Sequence, residues 1–272
     1  MTFAASEPLD IDALRRSRRG ERIGGDIRYF EELASTSTTA SELAAAGAAE
    51  GVVVIAESQS RGRGRLGRSW LSPPYRNLYV SLVLRPPIAP TQAPILALVA
   101  GLATADALAA TGVEPRIKWP NDVLVDGRKV AGILAEMAGD GASVSAVVLG
   151  IGINVNLGLD ELPEDLRDKA GSVAAALGEP VARHELAARL LAAFQQRYDR
   201  FVASGFSALR DEWNRLSCLN GERVDIVDGG RHVVGTVSGV ATDGALELVC
   251  DDGRRERIVA GEVTVAGGYE RG

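Results

Sequence analysis

The stretch GVVVIAESQSRGRGRLGRSW, residues 51–70, joins a strongly apolar run to a loop rich in arginine and glycine. The β-branched run at residues 52–57, bounded by a glycine, predicts a buried strand. The arginine–glycine loop, residues 59–70, carries four arginines and three glycines. Glycine lets backbone N–H groups approach an anion closely, and arginine supplies fixed charge with forked donors. The segment therefore predicts a site for a phosphate or a carboxylate after a buried strand.

The rest of the chain is acidic, which restricts the kind of anion that this loop could bind. The 272 residues carry a formal net charge of −6, with 46% hydrophobic and 24% charged residues. These proportions are ordinary for a soluble globular protein. Overall acidity argues against a broad polyanion such as nucleic acid. A small-molecule anion is the favoured partner, while a solvated arginine turn and an RNA-binding patch stay open as alternatives.

Cysteine and histidine are scarce, and this scarcity excludes several classes of chemistry. Only Cys218 and Cys250 occur, far apart, so neither a disulfide framework nor a zinc site is indicated. His184 and His232 are the two histidines, which argues against a Ser–His–Asp triad or a histidine-rich metal site. The N-terminus does not resemble a secretory signal, and the apolar runs are too short to span a bilayer. We therefore expect a cytoplasmic protein without a membrane partner.

Hydrophobic periodicity predicts an α/β organisation followed by a β-rich C-terminal segment. Beyond Ser217 the helical period disappears, and about fifty residues with turn dipeptides predict a small barrel. The expected turns are at Gly229-Gly230, Asp243-Gly244 and Asp252-Gly253. Helices are expected at residues 11–19, 38–49, 91–110, 181–204 and 206–216, and strands at 27–33, 52–57, 78–84, 116–119, 123–125, 130–137 and 144–150.

Residues 118–136, KWPNDVLVDGRKVAGILAE, carry a second cluster of polar groups. Pro120 favours extended backbone before it, and Asn121 and Asp122 then offer a neutral and a charged oxygen at a strand edge. Such oxygens are suitable partners for hydrated magnesium. Lys129 follows a turn in the same segment. A hairpin with charged residues at its tip is the alternative interpretation.

Two shorter segments add further polar groups. The sequence GIGINVN, residues 150–156, lacks the third glycine and the acidic residue of a dinucleotide-binding fingerprint. It fits a strand end that presents Asn154 and Asn156 to a ligand, or simply a strand end that tolerates glycine. The hydroxyl run STSTT, residues 35–39, precedes a helix. These hydroxyls could cap that helix or hydrogen-bond a buried polar ligand.

Together, the hydroxyl run, the Q-x-x-GRGR-x-GR-x-W loop, KWPND with AGIL-x-E, and GIGINVN resemble the biotin protein ligase family in kind and order. The resemblance implies an α+β fold, with a mixed-sheet catalytic domain like that of class II synthetases and a small C-terminal SH3-like β-barrel. It also implies three parts: an N-terminal extension with a short helix (1–26), a catalytic domain that binds biotin and ATP (27–216), and the barrel (217–272).

The resemblance implies an ATP-dependent ligase that works in two steps. Biotin's carboxylate attacks the α-phosphorus of ATP to give biotinyl-5′-AMP, and a lysine on a biotin carboxyl carrier domain of an acyl-CoA carboxylase then takes the biotinyl group. The expected substrates are biotin and ATP, with Mg²⁺, and the expected partner is that carrier domain. A lipoyl-protein ligase, which shares the catalytic fold, and a non-catalytic nucleotide- or biotin-binding protein are the alternatives.

The resemblance further implies roles for individual residues. Biotin binding falls to Ser35, Thr36, Ser37, Gln59, Arg63, Gly64, Arg65 and Lys129, with Ser37 where the family has asparagine. ATP or adenylate binding falls to Arg65, Arg68, Trp70, Asn121, Lys129 and Asn154, although Trp70 could equally pack the base of the loop. The expected catalytic residues are Arg63, Arg65, Lys129 and Asp122, and Asp122 is also the candidate metal ligand.

Two expectations concern the parts of the chain around this site. Bifunctional members of the family carry a winged-helix DNA-binding domain of about sixty residues, whereas 34 residues precede Ser35 here. We therefore expect a monofunctional ligase that does not bind DNA through a domain of its own. The four clustered arginines repel one another, so we also expect the loop to be mobile until an anion binds.

Overall fold

Two β-sheets and the helices around them make up the part of the chain that the structure describes. This computed structural model describes residues 7–138, 144–228 and 230–265. The helices are α1 (Ile11–Ser17), α2 (Thr36–Ala45), α3 (Ile95–Ala109), α4 (Val173–Leu177), α5 (Arg183–Ser204) and α6 (Ser207–Leu216). The strands are β1 (Ile27–Leu33), β2 (Val53–Gln59), β3 (Leu78–Leu84), β4 (Arg116–Lys118), β5 (Asp122–Val125), β6 (Arg128–Ala138), β7 (Ala146–Ile153), β8 (Arg223–Asp228), β9 (Arg231–Val240), β10 (Leu246–Val249), β11 (Arg255–Ile258) and β12 (Glu262–Val265).

The larger sheet is mixed, and the smaller sheet is antiparallel. Seven strands form the larger one in the order β1-β2-β3-β7-β6-β5-β4, where only β1 and β2 run parallel among the described pairings. Five strands form the smaller one in the order β11-β10-β9-β8-β12. The predicted fold class, an α+β fold with a mixed sheet and a separate small C-terminal β-structure, is confirmed.

Helix α3 is a core helix that backs the larger sheet. Nearly all of its residues are buried, and it packs against α5 and β6. By length and composition the segment Pro90–Ala109 could cross a membrane, but 78% of it is buried inside the molecule. The helix begins at Ile95, four residues later than predicted, because Pro94 occupies its N-cap position and Pro90–Gln92 form a separate 3-10 turn.

Helix α2 also differs from its predicted bounds, and the shift affects the site. The expected span was 38–49, but the helix begins at Thr36 and ends at Ala45. Ser35 has extended backbone and is the N-cap residue, so the first hydroxyls of the run belong to the first helical turn. Gly47, with φ of 85°, then turns the chain away from the helix.

The pairing of β6 with β7 brings two sequence motifs face to face. Their register places Gly132 opposite Gly152 and Leu134 opposite Gly150. The AGIL segment and the GIGINVN segment are therefore neighbours at the centre of the larger sheet. Three positions without side chains lie close together there, which leaves room above the sheet for other groups.

Turn chemistry explains the small sheet. Gly244 and Gly253 have φ of 83° and 81°, and their N–H groups donate to Ala241 and Cys250, so both predicted Asp-Gly turns are confirmed. Gly229 of the third predicted turn lies outside the described residues. The short helix α4 was not predicted, because five residues carry too little periodicity to signal a helix.

A buried ion pair ties the N-terminal segment to the larger sheet and to α5. Arg183 donates to Glu57 Oε2 at 2.7 Å, and both side chains are at most 5% exposed. Glu57 also accepts from the backbone N–H of Leu9 and from the hydroxyl of Tyr29. Arg183 donates further to the carbonyl of Asn77. With these partners satisfied, the pair fixes where α5 begins relative to β2.

Replacing Arg183 with methionine should destabilise the protein strongly, because the Glu57 carboxylate would stay buried without its charge partner. We expect a loss of about 3–5 kcal/mol in the free energy of unfolding, measured by urea denaturation followed by far-UV circular dichroism. Arg28→Met is the matched control, because Arg28 pairs with Asp26 at an exposed position. That variant should lose at most about 1 kcal/mol. Equal losses in both variants would contradict the assignment.

Candidate functional site

One cavity of about 310 Å³ lies where the larger sheet, the arginine–glycine loop and the smaller sheet meet. Its walls come from the start of α2, the loop, the β4–β5 connection with the first half of β6, the centre of β7, and β12. Segments that are far apart in sequence therefore face one space. The predicted site residues that line it are Ser35, Thr36, Ser37, Gln59, Arg63, Gly64, Arg65, Arg68, Trp70, Asn121, Asp122 and Lys129.

Asn154 is the predicted site residue that the structure does not bring to this cavity. Its side-chain amide donates to the carbonyl of Gly171, and its backbone N–H donates to Val130. Asn156 similarly bonds both the N–H and the carbonyl of Val181. Both asparagines are buried. Their amides hold neighbouring loops against the strand end, whereas Gly150, Ile151 and Gly152 of the same motif line the cavity.

The neutral end of the cavity is a network of buried hydroxyl groups at the start of α2. Ser81 of β3 donates to Thr36 Oγ1 at 2.8 Å, and Ser37 Oγ lies 3.2 Å from Ser81 Oγ. Ser35 makes no capping hydrogen bond with its side chain. All four residues are buried. Since a hydroxyl group can donate and accept, this end suits an uncharged polar group that needs both kinds of partner.

Gln59 connects this network to the base of the loop. Its Oε1 accepts from the backbone N–H of Thr36 at 2.9 Å, and its Nε2 donates to Ser72 Oγ at 2.9 Å. Ser72 in turn donates to the carbonyl of Trp70. The end of β2, the first turn of α2 and the end of the loop are thus fixed to one another by one amide side chain.

The loop folds back on itself. Arg63 forms a β-bridge with Ser69, and Gly64 N–H donates to the carbonyl of Arg68 at 2.7 Å. Leu66 at the tip has φ of 55° and is 71% exposed. Leu66 and Gly67 at the tip do not line the cavity, whereas Arg65 and Arg68 on either side of them do.

Three arginines of the loop already have partners among the described residues. Arg63 pairs with Glu136 of β6, and Arg68 pairs with Glu262 of β12. Arg65 donates to Asn121 Oδ1 at 3.1 Å. Burial lowers the pKa of Arg65, and the Asp122 carboxylate opposes that effect. These partners reduce the mutual repulsion that the sequence predicts, and they hold the loop over the cavity through bonds from two different sheets.

Lys129 and Asp122 form the second charged part of the cavity. Lys129 Nζ lies 2.7 Å from Asp122 Oδ1, a close ion pair whose angle is not that of a directed hydrogen bond. Asn121 is held by a donation from its Nδ2 to the carbonyl of Ile133. The β5–β6 hairpin thus carries Asp122 at its start and Lys129 just after its turn, and both residues line the cavity.

Lys118 is a cavity residue that the sequence analysis did not assign. It lines the cavity, and burial lowers its pKa while Asp122 opposes the effect. The chain has three lysines in all, and two of them, Lys118 and Lys129, line this cavity. The third is Lys169. Lys118 begins the KWPND motif, which also contains Asp122. Its proximity in sequence to Asp122 could have indicated that it lies at the same site.

Glycines at the cavity floor are required by close contacts. A Cβ atom at Gly150 would lie 2.7 Å from Ser37 Oγ, and one at Gly152 would lie 2.6 Å from Trp70 Cε2. Real Cβ atoms essentially never come so close. The floor is therefore bare backbone, which lets hydroxyl and indole groups approach the sheet from above.

A protein-built metal centre is not found among the described residues, since no cluster there has three or more potential acidic, histidine or cysteine ligands. Asp122, the predicted metal ligand, has the Lys129 ammonium against its carboxylate. Mg²⁺ is commonly held by one or two carboxylates together with substrate phosphates. The residues present therefore do not form a magnesium site by themselves.

The cavity combines a neutral, hydroxyl-lined end with a cationic end. That combination suits a ligase that activates a carboxylic acid with a nucleotide, because the acid's uncharged body and its charged groups need different surroundings. The chain matches the biotin/lipoate A/B protein ligase family over residues 29–154 and the biotin protein ligase C-terminal domain over residues 220–265.

Relatives and a solved structure agree with these matches. A biotin–[acetyl-CoA-carboxylase] ligase of Mycobacterium tuberculosis is 36% identical, over 94% of this chain and 95% of its own. One of Paracoccus denitrificans is 38% identical, over 86% of this chain and its full length. The biotin protein ligase of Aquifex aeolicus in complex with biotin and ATP is 28% identical with a TM-score of 0.76, over 89% and 98% of the chains. The chain belongs to the biotin protein ligase family.

Glu262→Gln should loosen the arginine–glycine loop, because it removes the carboxylate that pairs with Arg68. An exposed ion pair is worth about 0.2–1 kcal/mol, so we expect tryptic cleavage after Arg65 and Arg68 to rise roughly 1.5- to 5-fold. Mass spectrometry of timed digests gives the rate at each arginine. Glu256→Gln removes another glutamate of the smaller sheet, one that pairs with Arg231. It should leave the rate unchanged, and an equal rise would exclude a specific contact.

Proposed function

We propose that this protein activates biotin with ATP to biotinyl-5′-AMP and then transfers the biotinyl group to one lysine of a biotin carboxyl carrier domain of an acyl-CoA carboxylase. The observation that carries the proposal is a cavity whose two ends differ, with buried hydroxyls at one end and Arg63, Arg65 and Lys129 at the other. Membership of the biotin protein ligase family supports the same substrates.

The neutral end suits the ring system of biotin. A cyclic urea offers one carbonyl oxygen and two N–H groups, so it needs donors and acceptors together. Ser35, Thr36 and Ser37, with Gln59 behind them, supply both kinds of group in a buried setting. Ser37 replaces an asparagine of the family, and a hydroxyl there still donates one hydrogen bond and accepts others.

The cationic end suits the reaction that joins two anions. One carboxylate oxygen of biotin forms a bond to the α-phosphorus, and the bond from that phosphorus to the bridging oxygen breaks. Pyrophosphate leaves with the electron pair. Mutual repulsion and developing charge are the barrier, so fixed cations lower it without a protein nucleophile. Arg63, Arg65 and Lys129 are the proposed cations.

The nucleotide would lie between the loop and the smaller sheet. Arg65, Arg68, Trp70, Asn121 and Lys129 are the proposed contacts, and all of them line the cavity. Magnesium would enter as part of the MgATP substrate, where it neutralises phosphate charge. Phosphates would then take over Arg63 and Arg68 from the two glutamates that pair with them.

The second step needs a base. The acceptor nitrogen bonds the acyl carbon, the bond from that carbon to the adenylate oxygen breaks, and AMP leaves. A lysine with a pKa near 10.4 is roughly 0.04% neutral at pH 7, so a group must take its proton. Asp122 is the proposed base, because its carboxylate lines the cavity and is available once Lys129 turns to the substrate anion. Such an enzyme works where carboxylases and ATP are found, and we propose the cytoplasm.

Biotin-dependent exchange of pyrophosphate into ATP is the primary test. The purified protein should incorporate labelled pyrophosphate into ATP only when biotin is present, and it should add one biotinyl mass to an apo carrier domain. The same assay with lipoate in place of biotin distinguishes a biotin ligase from a lipoyl-protein ligase of the same family. Exchange with lipoate alone would replace the proposal by a lipoyl ligase, and no exchange with either acid would leave a binding protein.

Arg65→Gln should slow the exchange by roughly 10²- to 10³-fold, because it removes a preorganised charge from the developing phosphate charge. Arg61→Gln is the matched control. It makes the same change in the same loop, but Arg61 does not line the cavity. Initial exchange rates at saturating biotin and ATP give the comparison. If Arg61→Gln slowed the exchange as much as Arg65→Gln, net charge rather than position would explain the effect.

Asp122→Asn should separate the two steps. Transfer from preformed biotinyl-5′-AMP should slow by about 10²- to 10⁴-fold, the range for loss of a general base. Biotin affinity should change far less, since the asparagine keeps the shape of the side chain. A single-turnover transfer assay and isothermal titration with biotin give the two numbers. Unchanged single-turnover rates would remove Asp122 as the base.

A further inference from the structure

Trp70 covers two glycines that lie directly opposite each other. Gly132 of β6 and Gly152 of β7 are paired in the ladder. A Cβ at Gly152 would come within 2.6 Å of Trp70 Cε2 and 2.7 Å of Nε1, and one at Gly132 within 2.8 Å of Cζ3. The two ends of the indole thus rest on the backbone of two strands. Any side chain at either position would displace the ring from the sheet.

The backbone of Trp70 is fixed from the other side. Its N–H donates to the carbonyl of Gly62 at 2.9 Å, and its carbonyl accepts from Ser72 Oγ at 3.0 Å. A Cβ at Gly62 would lie 2.4 Å from that carbonyl oxygen. The indole is therefore held between the base of the arginine–glycine loop and the floor of the cavity.

Packing alone does not explain why this residue is tryptophan. The indole N–H is buried and has no hydrogen-bond partner in the described part of the chain. A buried donor without a partner reduces stability, whereas phenylalanine or leucine would fill much of the space with no such loss. The feature that tryptophan adds is its ring face, which attracts a cation more strongly than other aromatic side chains do.

A cation does lie over that face. Lys129 Nζ is 5.4 Å from the centre of the indole ring. A Cβ at Gly132 would lie 3.1 Å from Lys129 Cε and 3.3 Å from its Nζ, so the same bare position makes room for the lysine. Asp122 Oδ1 also lies 2.7 Å from the ammonium. The flexible side chain of Lys129 is therefore confined by an indole face, a carboxylate and a strand without a side chain.

We propose that Trp70 is a positioning residue for Lys129. The facing pair Gly132–Gly152 leaves the space in which its indole ring lies. This inference rests on the proposed function for the role of Lys129, but the geometry can be tested without it. When Lys129 turns from Asp122 to a substrate anion, the indole face stays beside the ammonium and limits how far it moves. Trp70 also forms the base of the loop. One residue therefore sets the position of Lys129 relative to the loop arginines.

Two variants break the arrangement in different ways, and two controls accompany them. Trp70→Leu removes the ring face. Gly152→Ala keeps Trp70 and Lys129, but its added methyl group displaces the indole from the two strands. Trp70→Phe keeps an aromatic face and should restore most of the effect. Gly101→Ala adds a methyl group at another buried glycine, where the nearest atom would be 3.6 Å away, an ordinary contact. Gly101 lies in α3 and has no part in the site.

The first measurement is a spectrum of the full chain labelled with ¹³C at the lysine ε-carbon. Three lysines give three signals, and a Lys129→Arg spectrum assigns the one that matters. In the wild type, the indole ring current should shift the Lys129 signal away from the other two. Trp70→Leu and Gly152→Ala should abolish that shift, while Gly101→Ala should keep it. This readout does not depend on activity.

The second measurement is biotin-dependent pyrophosphate exchange. Loss of the ring face should lower kcat about 3- to 30-fold in Trp70→Leu, with KM for biotin changed less than threefold, and Trp70→Phe should recover most of the rate. A loop that is merely loosened would raise KM instead. If Trp70→Leu does not fold, Gly152→Ala carries both measurements.

The outcomes distinguish this inference from the proposed function. A Lys129 signal that stays in place in Trp70→Leu and in Gly152→Ala overturns the inference. So does an unchanged kcat in an active enzyme. Absence of exchange in the wild type overturns the proposed function, and the spectrum then still decides whether Trp70 holds Lys129.

Discussion

Bare backbone at the centre of the larger sheet is the constraint on which the site depends. Gly132, Gly150 and Gly152 lie together where β6 and β7 pair, and side chains from elsewhere occupy the space above them. Ser37 needs the room at Gly150, and Trp70 needs the room at Gly132 and Gly152. A methyl group at any of the three would meet an atom at less than 3.0 Å. The sheet thus has no side chains at three neighbouring positions, and the missing side chains leave room for the cavity walls.

Three cations that line the cavity each contact an acidic side chain. Glu136 and Glu262 face Arg63 and Arg68, and Asp122 faces Lys129. Each acid balances the charge of a cation in the absence of a ligand, and each is an anion that a ligand phosphate or carboxylate would have to replace. The affinity of such a site is therefore a difference between two sets of ion pairs, which keeps it sensitive to small changes in position.

Local patterns predicted the elements, and long-range contacts escaped prediction. The strands at 27–33 and 78–84 were predicted with their full bounds. Each is a run rich in apolar residues, and glycine, proline or asparagine lies close to at least one of its ends. The start of α2 was placed late, since several hydroxyl residues can serve as the cap. Most of the predicted site residues line one cavity because they lie in two dense motifs. Asn154 does not, because its amide serves the backbone of Gly171, a partner that no local pattern reveals. Glu136 and Glu262 were missed for the same reason.

Strand β12 forms part of the cavity wall, so charges from both sheets contribute to the electrostatic potential in the cavity. Glu262 supplies negative charge to a loop that belongs to the other sheet. A small rotation of the C-terminal sheet would withdraw that charge and raise the positive potential over the cavity without moving any residue of the larger sheet. How strongly the cavity attracts anions therefore depends on a carboxylate of the C-terminal sheet as well as on the cations of the arginine–glycine loop.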